Sequence, residues 1–144
     1  MRLFSQDTKV QALKGVPLFE DLSRKELVQL ERVCEDLEVE QGRVLCKEGE
    51  VGHEFFVLVN GKVQVSRKGR RVATMGGGDF VGEIALVTKL PRTATVTAET
   101  PVRLFVLTSR EFHAVLDRNP KVERKVLRTL ARRLAETSSN PTLA

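Results

Sequence analysis

The residues that could do chemistry are concentrated in Gly78-Asp79-Phe80-Val81-Gly82-Glu83-Ile84-Ala85-Leu86-Val87-Thr88-Lys89-Leu90-Pro91-Arg92-Thr93-Ala94-Thr95-Val96. A strand should end near Val81 and a short helical turn should start at Gly82-Glu83. Pro91 then closes the insertion before a strand resumes at Thr93. A helical turn set between strands leaves its first N–H groups without intrahelical partners, which makes a ready seat for an anion. Gly82, with no side chain, lets the backbone come close to a ligand. Arg92 brings a planar, permanently charged group suited to a phosphate. The structural alternative is that Glu83 and Arg92 form a buried ion pair that only shapes the loop. Gly76-Gly77-Gly78 reads as a permissive turn.

Other chemistries are poorly supplied. The chain has 2 histidines, His53 in a turn and His113 on a helix, so no cluster converges on a metal in the manner of a metal-dependent cupin enzyme. No set of nucleophile, base and orienting group is evident. Cys34 and Cys46 sit in apolar patterns without metal or redox spacing and read as buried thiols. The expectation is a binding domain without catalysis, metal or resident cofactor.

The elements that must position these residues fall into three zones. The first 36 residues look helical from about residue 6, with a break at Gly15-Val16-Pro17. Ser23-Arg24-Lys25-Glu26 is a capping box that starts a helix, and Leu27, Leu30, Val33 and Cys34 give it an apolar face. Residues 37–108 are short segments rich in Val, Phe, Leu and Thr divided by glycine turns, an antiparallel β region. Its clearest hairpin runs Phe55-Phe56-Val57-Leu58-Val59, Asn60-Gly61, Lys62-Val63-Gln64-Val65. The turn spacing points to a sandwich, barrel or jelly roll.

After the last strand, Ser109 is placed to cap a helix through Asp117, and Asn119-Pro120 to start another. That final helix should span about Lys121 to Glu136, with the C-terminal helices together covering 110–136. Val122, Val126, Leu127, Leu130, Ala131 and Leu134 form its apolar stripe, with the arginines opposite. Residues 137–144 read as a tail.

A chain of 144 residues fits one domain, residues 1–144. It has no apolar run of membrane-spanning length and no signal peptide, so the cytoplasm is the expected location. The net charge of +5 would suit an anionic partner. Much of it lies in Arg124, Lys125, Arg128, Arg132 and Arg133, and a solvated helix face is preferred to nucleic acid because no DNA- or RNA-reading motif accompanies the charge.

The string Gly82-Glu83-Ile84-Ala85-Leu86, followed by Pro91-Arg92-Thr93-Ala94-Thr95-Val96, closely resembles the phosphate-binding cassette of cyclic-nucleotide-binding domains. These occur in kinase regulatory subunits, the bacterial catabolite activator family and nucleotide-gated channels. Pro17-Leu18-Phe19, Glu48-Gly49-Glu50 and Asn60-Gly61-Lys62-Val63 extend the resemblance over roughly Val10 to Leu134. It implies a mainly β fold: an eight-stranded antiparallel jelly roll with flanking N- and C-terminal helices.

It also implies roles. Arg92 would pair with the cyclic phosphate, with N–H groups around Gly82, Ile84 and Ala85 donating to it, and Glu83 would accept from the ribose 2′-hydroxyl. Thr93 would lie beside phosphate and base, Val65 and Val72 would wall the base pocket, and the C-terminal helix would act as a lid through Leu130 and Leu134 or a neighbouring arginine. The ligand would be cyclic AMP or cyclic GMP, with dual binding and cyclic AMP ranked ahead. His53 departs from the acidic residue frequent in its turn, and Phe55-Phe56 from a pair that often includes tyrosine. No helix-turn-helix follows the lid helix, which argues against a direct transcription factor. The partners implied are a cyclic nucleotide, a protein effector and a second copy through the C-terminal helix. The competing reading is an interaction domain that has lost its ligand, against which Glu83 and Arg92 both stand.

Overall fold

The computed structural model describes residues 6–137. The expected tail from 138 onward lies outside them. Helix α1 (Gln6–Lys14), a 3₁₀ turn (Pro17–Phe19) and α2 (Arg24–Val33) precede eight strands. These are β1 (Glu35–Val39), β2 (Val44–Cys46), β3 (Glu54–Asn60), β4 (Lys62–Arg67), β5 (Arg70–Gly76), β6 (Phe80–Val81), β7 (Thr95–Ala98) and β8 (Val102–Thr108). A short helix α3 (Glu83–Thr88) interrupts them, and α4 (Ser109–Arg118) and α5 (Pro120–Thr137) follow. The strands form two antiparallel four-stranded sheets, ordered β1-β8-β3-β6 and β2-β7-β4-β5. The architecture is the eight-stranded jelly roll with flanking helices.

Alternation along β3 and β8 explains the layering. Phe56, Leu58, Leu104 and Val106 face inward and meet Val63, Val65 and Val96 of the opposite sheet. Phe55, Val57, Phe105 and Leu107 face outward into a second core with Leu13, Phe19, Leu27, Phe112 and Val126 from the helices. Both faces of β3 are therefore buried, and its sequence reads as a continuous apolar run rather than an alternating one.

That run misleads about pairing. The segments flanking Asn60-Gly61 belong to different sheets: β3 pairs with β8 and β6, and β4 with β5 and β7. Asn60-Gly61 is a corner between sheets and not the expected hairpin turn. Gly61 is required there because its φ is 93° and a Cβ would lie 2.4 Å from the Pro101 carbonyl oxygen. The two-residue hairpin is instead β4–β5, where Arg67 faces Arg70 across Lys68-Gly69, with φ of 52° and 76°. Two successive positive φ values are the signature of the turn that matches strand twist.

Helix ends follow the capping chemistry with two corrections. The Ser23/Glu26 capping box is present. Thr108, and not Ser109, caps α4, and it forms a second capping box with Glu111. Asn119 does not cap α5 with its side chain; its Nδ2 donates back to the Val115 carbonyl at 2.8 Å and closes α4. Pro120 does occupy the first position of α5. On α2, Val33 is exposed, so the buried face is carried by Leu27 and Leu30.

Helix α5 is anchored through its first half. Val122 and Val126 enter the helical core, and Lys125 Nζ donates to the Pro17 carbonyl at 2.7 Å and lies 3.3 and 3.1 Å from Glu20 and Asp21. Leu130 is buried and Leu134 half-buried, whereas Leu127 and Ala131 of the expected stripe are exposed. Among the described residues, no helix is long and apolar enough to cross a membrane.

Candidate functional site

Residues Gly82 to Ala85 form the entrance to α3. Gly82 sits at its N-cap with φ 104°, a left-handed conformation that disfavours any side chain. Space excludes one as well: a Cβ would lie 2.7 Å from the Glu54 carbonyl oxygen and 2.9 Å from an Arg92 guanidinium nitrogen. No side chain caps this helix, so the first-turn N–H groups, including those of Ile84 and Ala85, are not satisfied by a cap or within the helix.

Arg92 is buried, and its guanidinium donates to the Gly82 carbonyl at 3.0 Å and the Glu54 carbonyl at 2.8 Å. Its backbone is clamped too: its N–H donates to Glu50 and its carbonyl accepts from Gly49, each at 2.8 Å. Among the described residues no carboxylate lies within ion-pair distance of it. The charge is thus oriented by neutral acceptors and left available to an anion. The expected structural alternative, a Glu83–Arg92 ion pair, is not what forms.

Glu83 pairs instead with Arg133 of α5, whose Nη1 donates to Oε1 at 2.6 Å and to Oε2 at 2.9 Å. The carboxylate is 0% exposed. Burial raises its pKa above the ordinary carboxylate value, opposed chiefly by the Arg133 charge and by hydrogen bonds from its own N–H and from Arg133. Arg133 also approaches the Met75 sulfur at 3.6 Å and stacks over Phe80 at 5.2 Å.

These groups border one cavity of about 140 Å³. Gly82, Glu83, Ile84, Ala85, Arg92, Thr93, Val65 and Val72 all line it. Val72 reaches it from a bulge, since Val65 faces Ala73 while Ser66 faces Arg71, leaving Val72 as the extra residue of β5. From α5, Arg133 and Glu136 line the cavity; Leu130 and Leu134, the expected lid residues, do not. Cys46 also borders it as a buried thiol, with burial pushing its pKa up to about 11; burial likewise raises Cys34 to about 12. Both histidines are exposed. Among the described residues no group of three or more His, Cys, Asp or Glu could hold a metal ion.

Three contributors escaped sequence reading. Arg133 counts among the charges of the solvated face and enters the lid expectation only as an unnamed neighbouring arginine, although it continues the buried series Val122, Val126, Leu130 at helical spacing, which is the available signal. Gly52 read as a turn glycine. A Cβ there would lie 2.7 Å from Arg92 Cζ and 2.8 Å from the Ala85 Cβ, so it makes room for the arginine, and nothing local in the sequence announces that. Arg67 lines the cavity one alternation beyond Val63 and Val65.

Residues 36–119 match the sequence profile of the family described as the cyclic nucleotide-binding domain. A cyclic nucleotide-gated potassium channel of Rhizobium etli is 35% identical over 123 residues, covering 85% of this chain and 34% of the channel. A cAMP-dependent protein kinase regulatory subunit of Yarrowia lipolytica is 39% identical over 106 residues, covering 72% of this chain and 28% of that protein. The regulatory subunit of a cAMP-independent protein kinase A from Trypanosoma brucei superposes with a TM-score of 0.80 at 26% identity, over 92% of this chain and 52% of that one. The chain thus spans about a third of the length of these two curated relatives. With the cassette, the jelly roll and the profile match in agreement, this chain belongs to the cyclic nucleotide-binding domain family.

Proposed function

We propose that the chain binds a 3′,5′-cyclic purine nucleotide, cyclic AMP or cyclic GMP, in this cavity and acts as a non-catalytic sensor. The observation that carries the reading is Arg92: a buried guanidinium, aimed by two carbonyl oxygens and, among the described residues, paired with no carboxylate, beside the uncapped first turn of α3. A cyclic phosphate would take that charge and the N–H groups around Gly82, Ile84 and Ala85. Glu83 would accept the ribose 2′-hydroxyl, Thr93 would lie between phosphate and base, and Val65 and Val72 would flank the base.

Because Arg133 occupies both oxygens of Glu83 in this structure, the ribose and α5 compete for one acceptor. Ligand binding is thereby linked to the position of the second half of α5. Output passes to a protein effector or a second copy through α5, where Leu127 is 44% exposed. No metal, resident cofactor or nucleic acid enters this reading. The free thiols Cys34 and Cys46 suit a reducing cytoplasm. Calorimetric titration of the chain with cyclic AMP and cyclic GMP tests it. Saturable one-to-one binding of at least one is expected, and heat from neither would favour an interaction domain that has lost its ligand.

A further inference from the structure

A third arginine lines the cavity, and neither the phosphate nor the ribose gives it a task. Arg67 ends β4, on the inward alternation of Val63 and Val65, and lines the cavity. Its neighbour Ser66 pairs with Thr95 of β7, which sets Arg67 beside the strand that leaves the cassette. The side chain is half-buried, and its Nε is buried without a protein hydrogen-bond partner. No carboxylate among the described residues lies within ion-pair distance of it. Lys68 next to it does engage Glu48, but through its backbone N–H at 2.9 Å. A buried Nε–H left without an acceptor beside a binding cavity is a donor waiting for one, because buried donors are otherwise satisfied.

We infer that Arg67 reads the nucleobase and makes this a guanine-preferring site. The inference rests on the proposed cyclic-nucleotide reading of the cavity. With the phosphate at Arg92 and the ribose at Glu83, the base extends between Val65 and Val72, the wall to which Arg67 belongs. Guanine offers two adjacent acceptors there, N7 and O6, which match the fork of an arginine. Adenine replaces O6 by an amino donor, which would face the guanidinium donor to donor. The order suggested by sequence, cyclic AMP first, is thereby reversed. Thr93 could address only the 2-amino group, so the two contributions are separable by ligand.

The experiment is side-by-side calorimetry of the chain with cyclic GMP, cyclic IMP and cyclic AMP. Cyclic IMP keeps O6 and N7 and lacks the 2-amino group. Cyclic GMP and cyclic IMP are expected to bind roughly fivefold to a hundredfold more tightly than cyclic AMP. Arg67→Gln, and Arg67→Lys with its charge but no fork, should collapse that ratio by weakening the oxo-purines more than cyclic AMP. Thermal melts of both variants check that they fold; should they not, the wild-type ranking of cyclic IMP against cyclic AMP decides alone. Equal wild-type affinities for the three, or an Arg67→Gln variant that weakens all three alike, overturn this inference and leave the cavity's reading standing. Binding of none overturns both.

Discussion

Two arginines reach the cavity from different parts of the fold, and they are held in opposite ways. Arg92 comes from the roll, fixed by the carbonyl oxygens of Gly82 and Glu54, by backbone bonds to Gly49 and Glu50, and by the space that Gly52 leaves. Its charge is unopposed. Arg133 comes from α5 and is matched to the Glu83 carboxylate. In the proposed reading the first is prepared for the phosphate and the second holds the acceptor that the ribose would take, so the ligand would be recognised at a rigid end and reported through a helix.

The most direct way to break this contrast is Arg92→Ala. Removing one partner of a desolvated charge pair typically costs about 2–5 kcal/mol, or roughly thirtyfold to a few thousandfold in affinity. The loss of Arg92 strands no carboxylate but frees the Gly82 and Glu54 carbonyls, so the variant should stay folded with a melting temperature somewhat below that of wild type. Titration of the variant, with a thermal melt beside it, measures both. A folded variant that binds as tightly as wild type would remove Arg92 from the phosphate.

A second variant acts on the same wall without touching a charge. In Gly52→Ala the new methyl would meet Arg92 Cζ at 2.7 Å and the Ala85 Cβ at 2.8 Å, closer than atoms can sit. Either the guanidinium or α3 must shift, and misplacements of this kind cost about 1–3 kcal/mol. The loss should appear mainly in nucleotide affinity, since the cavity can take up the displaced guanidinium while the sheets stay as they are. An unchanged dissociation constant would mean that Arg92 tolerates another position.

What could be read beforehand follows from where the determining interactions lie. Local chemistry was legible: the Ser23 capping box, the uncapped turn at Gly82-Glu83 and the return of Arg92 all depend on residues close in sequence. The partner of β3 was not, because a strand buried on both faces carries no alternation and Asn60-Gly61 suits a corner as well as a hairpin. Arg133, covered only as an unnamed neighbouring arginine, and Gly52 are not singled out by the sequence for a related reason. Their roles exist only across contacts with Glu83 and Arg92, 50 and 40 positions away.

The other wall is tested by Arg133→Ala. Glu83 keeps its burial and loses its counter-charge, so its pKa, already raised, should rise further. The folded state then holds a proton that the unfolded chain has released. Stability therefore falls as pH rises from the ordinary carboxylate range through the raised value. At neutral pH the destabilisation should be about 1–2 kcal/mol, between that of an exposed pair and a sealed one because the cavity admits water. Melts of wild type and variant should converge as pH is lowered into the carboxylate range. With Glu83 unoccupied, nucleotide should also raise the variant's melting temperature more than that of wild type. A smaller rise would mean that Arg133 contacts the bound ligand.

The smallest expected effect is also the one that separates sensing from scaffold. Val122 and Val126 are part of the helical core, and Lys125 is tied to the Pro17 carbonyl, so deleting α5 would unmake the fold together with the lid. Hydrogen exchange on the intact chain avoids this. Amides in the first half of α5 open only with the core and should show the same protection with and without nucleotide. Those from Leu130 to Glu136 are held to the roll through Arg133, and their protection should change when the ribose takes Glu83. A helix already bonded end to end keeps most of its protection either way, so a change confined to that half is the expected result. If the two halves respond alike, α5 moves as one body about its loop. If neither responds, α5 is a fixed wall and the signal leaves through another surface.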